Sequence, residues 1–188
     1  MKKLVLAVLA AVFMAGAAFA AESDSFINFK VGLDVMGNTK SDMPGDDENT
    51  KMGFSVAAEY LFAANDIFCF GGGLEYVLPR EIDNEYGQKI SFLPVYVTVK
   101  ANPIETAKEV FFKANIGYVV MFDVTDLPSN YDKSGGLYYA IGAGYEFPAG
   151  LAVDLTYGIY NTKITAGGKD YDGSYSKVGI NVGYKFKL

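Results

Sequence analysis

From Ile27 onward the chain alternates apolar and polar residues with a period of two. Ile27, Phe29, Val31, Leu33 and Val35 share one face, and Asn28, Lys30, Gly32, Asp34 and Met36 the other, which is the pattern of a strand with one greasy side. The alternation returns over Met52–Phe62, Phe68–Leu78, Lys89–Ala101, Phe112–Phe122, Tyr138–Phe147, Leu151–Tyr160 and Val178–Leu188. These are eight segments of about 10 to 13 residues, near the length a tilted strand needs to cross about 30 Å of hydrocarbon. The fourth segment changes phase: Ile90 and Phe92 have one parity, Leu93, Val95, Val97, Val99 and Ala101 the other. Pro94 sits at the change and cannot donate to a ladder, so a β-bulge is predicted at Phe92 to Pro94, with Ile90 and Phe92 on the greasy face.

The connections alternate in length. Short links at Ala63–Asp66, Pro103–Lys108 and Pro148–Gly150 separate long polar ones at Gly37–Thr50, Pro79–Gln88, Asp123–Gly135 and Asn161–Ser174. Tight periplasmic turns and longer external loops have this asymmetry, and it places both ends of the mature chain on the periplasmic side.

A soluble sandwich or lipocalin-like barrel also alternates, but with its apolar face turned inward. Here the polar face is mostly Gly, Ala, Ser, Asn and Tyr, which suits the narrow lumen of eight strands. The other face is rich in Phe, Tyr, Val, Leu and Ile, which lipid solvates and water does not. Aromatic residues gather near strand ends: Phe62, Phe68, Phe112, Phe147, Tyr184 and Phe186 toward the turns, Tyr76, Phe122, Tyr139 and Tyr157 toward the loops. The fold class expected is all-β, a closed antiparallel up-and-down eight-stranded transmembrane β-barrel.

The first residues explain how such a chain reaches a membrane. Lys2 and Lys3, an apolar run from Leu4 to Ala17, and Ala18-Phe19-Ala20 make residues 1–20 a signal peptide, leaving one barrel domain at 21–188. The run is about 14 residues, short for a helical span. Without Lys2 and Lys3 the mature charge is 14 − 22 = −8, which argues against a nucleic-acid partner. Cys69 is the one cysteine, so no internal disulfide forms, and by parity it fills a small space in the lumen.

Candidate chemistry is sparse. The chain has no histidine, which removes Ser-His-Asp and Cys-His catalysis and a histidine metal site. No catalytic residue, cofactor or metal is expected. Lys30, Lys100, Lys113 and Lys185 face the lumen with Glu59, Glu146 and Asp154 in its periplasmic half, as ion pairs that brace the wall or gate it. Asp34, Glu75 and Lys177, with Tyr96, Tyr138 and Tyr160, are placed higher, around a shallow vestibule. Gly71-Gly72-Gly73 and Gly142-Ala143-Gly144 lack a following helix and read as close wall packing. Asp42, Asp46, Asp47 and Glu48 are solvated loop charge, without the spacing of a calcium loop.

Together these segments resemble the small outer-membrane β-barrel family typified by outer-membrane protein X and the barrel of outer-membrane protein A. The end, Gly183-Tyr184-Lys185-Phe186-Lys187-Leu188, is similar to that family's C-terminal signal, with Tyr184, Phe186 and Leu188 as its apolar positions and Leu188 as its last residue. The resemblance implies the outer membrane of a Gram-negative cell, a monomer, the barrel-assembly machinery, and contact with outer-membrane lipid and lipopolysaccharide. Lipid-modifying enzymes among such barrels generally depend on a histidine, so no enzyme is expected. Two functions remain: a mostly plugged barrel acting through its loops in adhesion, surface contact or envelope integrity, or a narrow channel for small solutes. The first is the primary reading, and Met36, Val77, Val119 and Met121, placed on the lumen face, keep the channel as its alternative.

Overall fold

The computed structural model describes residues 24–42, 48–83, 87–125 and 131–188. The signal peptide read at 1–20 lies outside them, as do Asp46 and Asp47 of the first loop. In chain order the strands are β1 (Ser25–Ser41), β2 (Glu48–Asn49), β3 (Gly53–Ala63), β4 (Phe68–Glu81), β5 (Lys89–Ala101), β6 (Val110–Val124), β7 (Tyr131–Glu146), β8 (Leu151–Ala166) and β9 (Lys169–Lys187). The two residues of β2 pair with Asn38 and Thr39 of β1 and continue the line of β3. Every other strand pairs antiparallel with its successor, and β9 returns to β1 from Phe26↔Lys187 to Ser41↔Gly173. The wall is a closed meander of eight long strands.

Its polarity is that of a membrane barrel. Phe29, Val31, Phe54, Ile116, Ile141, Leu155 and Val182 are exposed on the outside, while their neighbours Lys30, Ser55, Asn115, Ala140 and Asp154 are buried within. Hydrocarbon satisfies such an exterior, and a closed ladder exposes no open strand edge to it.

β3 and β5 have the predicted lengths of 11 and 13 residues, and the other long strands run further than the sequence predicts, up to 19 residues in β9. The segment read as a long loop at Asn161–Ser174 is instead a β-hairpin, with Ala166 paired to Lys169 around Gly167 and Gly168 at φ of 57° and 77°. Two successive positive φ values make the turn whose twist matches its flanking strands, and glycine adopts them without Cβ strain. Gly168→Ala is expected to lower barrel stability by about 1 kcal/mol, read as a shift in the urea unfolding midpoint, with the wall unchanged.

Four β-bulges interrupt the ladder, at Asp34/Met36, Val77/Arg80, Leu93/Pro94 and Gly135/Tyr138. The one foreseen beside Pro94 is present, but its extra residue is Val120 of β6, between Met121↔Leu93 and Val119↔Pro94. Strand β5 therefore keeps one parity, and Ile90 and Phe92 point inward, not to lipid. The same shift turns Met121 outward and carries Phe122 inward, against Phe92. The bulge at Val35 turns Met36 outward.

Candidate functional site: the lumen

Three layers of side chains fill the barrel. At the short-turn end, Glu146 lies 2.5 Å from Lys100 and 3.6 Å from Lys185. The Lys100 ammonium sits 4.5 Å from the Phe111 ring centroid, and that of Lys185 sits 4.1 Å from Phe26. Phe111 has room because Gly144 faces it: a Cβ there would come within 2.5 Å of the ring.

Above this layer Lys30 bridges Glu59 at 2.6 Å and Asp154 at 3.5 Å, and Lys113 holds Asp154 at 2.8 Å. Each carboxylate has further donors: the Tyr96 hydroxyl donates to Glu59 at 3.1 Å, and Asn181 and Thr156 donate to Asp154, both at 2.7 Å. Buried charges are tolerable only when paired and hydrogen-bonded in this way. The seven lumen residues singled out in the sequence are thus all inside, in two clusters: Lys30, Glu59, Lys113 and Asp154 in one, Lys100, Glu146 and Lys185 in the other.

The third layer overturns the vestibule expected around Asp34, Glu75 and Lys177. Lys177 donates to Asp34 at 2.7 Å and Glu75 at 2.6 Å, the Tyr160 hydroxyl donates to Glu75 at 2.9 Å, and all four residues are buried. The reason is an aromatic lid above and around them. Phe92 stacks on Tyr175 and Phe122 at centroid distances of 4.8 and 5.3 Å and meets Tyr160 at a tilt at 5.3 Å, and Tyr138 packs against both Tyr160 and Tyr96. Val77 and Val119 are fully buried in this lid, whereas Met36 and Met121, read as lumen residues beside them, face outward.

Arg80 is the residue the sequence reading missed, because Pro79-Arg80-Glu81 has the look of a loop. The bulge after Val77 brings its side chain inside, where it donates to the Tyr175 hydroxyl and the Lys51 carbonyl and lies 3.7 Å from Asp34. Pro79 is the available signal, since proline inside a strand marks a bulge or an edge. Each of the four bulges adjoins a residue of this upper plug: Asp34, Arg80, Val119 or Tyr138.

Between the charged layers remains a cavity of about 20 Å³, lined by Glu59, Glu75, Lys113, Asn115 and Tyr138 among others. That is room for about one water. The buried Asn115 carbonyl oxygen, which has no protein partner, belongs to this lining. Among the described residues no group of three or more acidic, cysteine or histidine side chains is placed to hold a metal ion.

The outside carries the aromatic residues expected at strand ends. Phe68, Phe112, Phe147, Tyr184 and Phe186 are exposed toward the short turns and Tyr76, Tyr139 and Tyr157 toward the loops, Phe62 is half-buried beside Phe70, and Phe122 points inward as already described.

Residues 6–186 match the model of the outer membrane protein beta-barrel domain. Among solved structures, the chain is similar to Neisserial surface protein A, with a TM-score of 0.55 and 12% identity over 86% of this chain and 97% of that one. It is also similar to Ail, the attachment invasion locus protein of Yersinia pestis, with a TM-score of 0.53 and 16% identity over 88% and 99%. No curated protein sequence matches the chain. With the family model spanning nearly its whole length and an eight-stranded, lipid-faced wall beneath that match, the chain belongs to the outer membrane protein beta-barrel domain family, in the outer membrane of a Gram-negative cell.

Proposed function

We propose that this protein is a non-enzymatic barrel, closed to solutes, that acts through its loop face by adhesion or surface contact and so supports the envelope. The observation that carries this reading is the plug across the middle and upper lumen: the buried ion-pair clusters around Lys30 and Lys177 and the aromatic lid above them, with a cavity of about 20 Å³ between the charged layers. A chain without histidine offers no general base among the commonest kind, which supports a non-catalytic role. The name of one similar barrel, attachment invasion locus protein, fits a contact function. The partners that go with this reading are outer-membrane lipid and lipopolysaccharide around a monomer, and the barrel-assembly machinery. Tyr184, Phe186 and Leu188, side by side on the outer face of β9 and its end, support recognition by that machinery.

In planar lipid bilayers the purified protein is expected to show no discrete conductance steps. Reproducible steps would select the alternative, a narrow channel for small solutes. Shortening the four loop-end connections is expected to leave insertion intact while abolishing attachment to cells, measured as the adhesion of bacteria that display each variant.

A further inference from the structure

Positive and negative side chains match one for one in the upper lumen. Lys30, Lys113, Lys177 and Arg80 face Glu59, Asp154, Asp34 and Glu75, four against four. The short-turn end departs from this balance. There, among the described side chains, Lys100 and Lys185 share one carboxylate, Glu146, and one positive charge is in excess. The Lys100 side chain is only 8% exposed, so water screens it poorly. The faces of Phe111 and Phe26 solvate the two ammoniums without cancelling their charge. Lys185, 3.6 Å from Glu146, lies beyond hydrogen-bond reach of it and keeps its three N–H donors available to a second acceptor.

These residues line an open vestibule of about 670 Å³ that faces the periplasm. Its other charged residues offset one another: Lys187 pairs with Asp24 at 2.8 Å, and Lys108 is matched in number by Asp66. We propose that this vestibule binds an oxyanion, a carboxylate or phosphate group entering from the periplasm, with Lys100 and Lys185 as its charge partners. An oxyanion suits the site because its separate oxygens can each accept from a different one of the two ammoniums.

Cys69 lines the same vestibule and is the chain's one cysteine, so it reports on what enters. The full barrel is folded in an uncharged detergent, with folding of each variant confirmed by heat-dependent migration on a gel. The rate of Cys69 modification is then measured with negatively charged dithiobis(nitrobenzoate) and with uncharged dipyridyl disulfide, across titrations of inorganic phosphate and of acetate. The anionic reagent is expected to react faster relative to the uncharged one, and phosphate or acetate to slow it with saturation. Lys185→Gln, at a partly exposed position, is expected to reduce the anionic preference about tenfold and to remove the protection. Glu146→Gln doubles the excess charge and is expected to move protection to lower anion concentrations. Protection by phosphate alone assigns a phosphate ligand, and protection by both assigns either oxyanion. No protection of the unaltered barrel by either anion, or an anionic preference unmoved in both variants, overturns the proposal. If Lys185→Gln does not fold, the titrations of the unaltered barrel and of Glu146→Gln decide it.

Discussion

Lys177→Met is expected to lower the stability of the folded barrel by about 3–5 kcal/mol, measured from urea unfolding in lipid vesicles. Lys177 is the cation nearest to both Asp34 and Glu75, and methionine leaves those two buried carboxylates facing each other. Arg80, at 3.7 Å from Asp34 and committed to the Tyr175 hydroxyl and the Lys51 carbonyl, does not replace it. The cost is that of uncompensated buried charge and not of a lost bond, so neutralising the carboxylates as well reverses it. Lys177→Met combined with Asp34→Asn and Glu75→Gln should recover most of the lost stability. A triple variant as unstable as the single one would refute that account. The exposed Lys163, paired with Asp170 and Asp172 in the β8–β9 hairpin, serves as control, and Lys163→Ala should leave the unfolding midpoint in place.

Phe92→Ala should remove a comparable amount, about 3–5 kcal/mol, because the ring is the centre of the lid, stacked between Tyr175 and Phe122 with Tyr160 at its side. Its effect on permeation is expected to be nil. The Lys177 cluster and the Lys30 cluster span the lumen beneath the lid, and each keeps its own ion pairs without Phe92. The checking measurement pairs urea unfolding with planar-bilayer recording on the same preparation. Conductance in Phe92→Ala alone would identify the lid as the single barrier and reduce the charged layers to bracing.

Strand number, faces and closure were legible in the residues because a wall between lipid and a narrow lumen forces strict alternation. Lys30, Glu59, Lys113 and Asp154 could be placed inside on parity alone. Parity carries no memory across an inserted residue, which is why Met36, Met121 and Phe122 were assigned to the wrong sides. Phe92 shows a second limit. An aromatic residue in a buried lid and one facing hydrocarbon have the same hydropathy, so the change of phase at Pro94 invited a bulge in β5 where the extra residue is Val120 of β6. Arg80 was lost for the opposite reason: its polarity and its proline neighbour read as loop, although ionic partners make the lumen hospitable to it. Partnership within a cluster also depends on register between distant strands, such as Lys177 with Glu75, and single-strand patterns do not encode it.

The seam between β1 and β9 governs how the molecule comes into being. Fifteen residue pairs join the first strand to the last, so the ladder is incomplete until the final residues are made. Any shorter piece leaves two rows of amide and carbonyl groups facing hydrocarbon, at a cost of several kcal/mol for each unsatisfied group. Partial barrels are therefore not stable stopping points in the bilayer. Insertion and closure become one event, and the start of β1 and the end of β9, meeting at the short-turn rim, are where that event is completed.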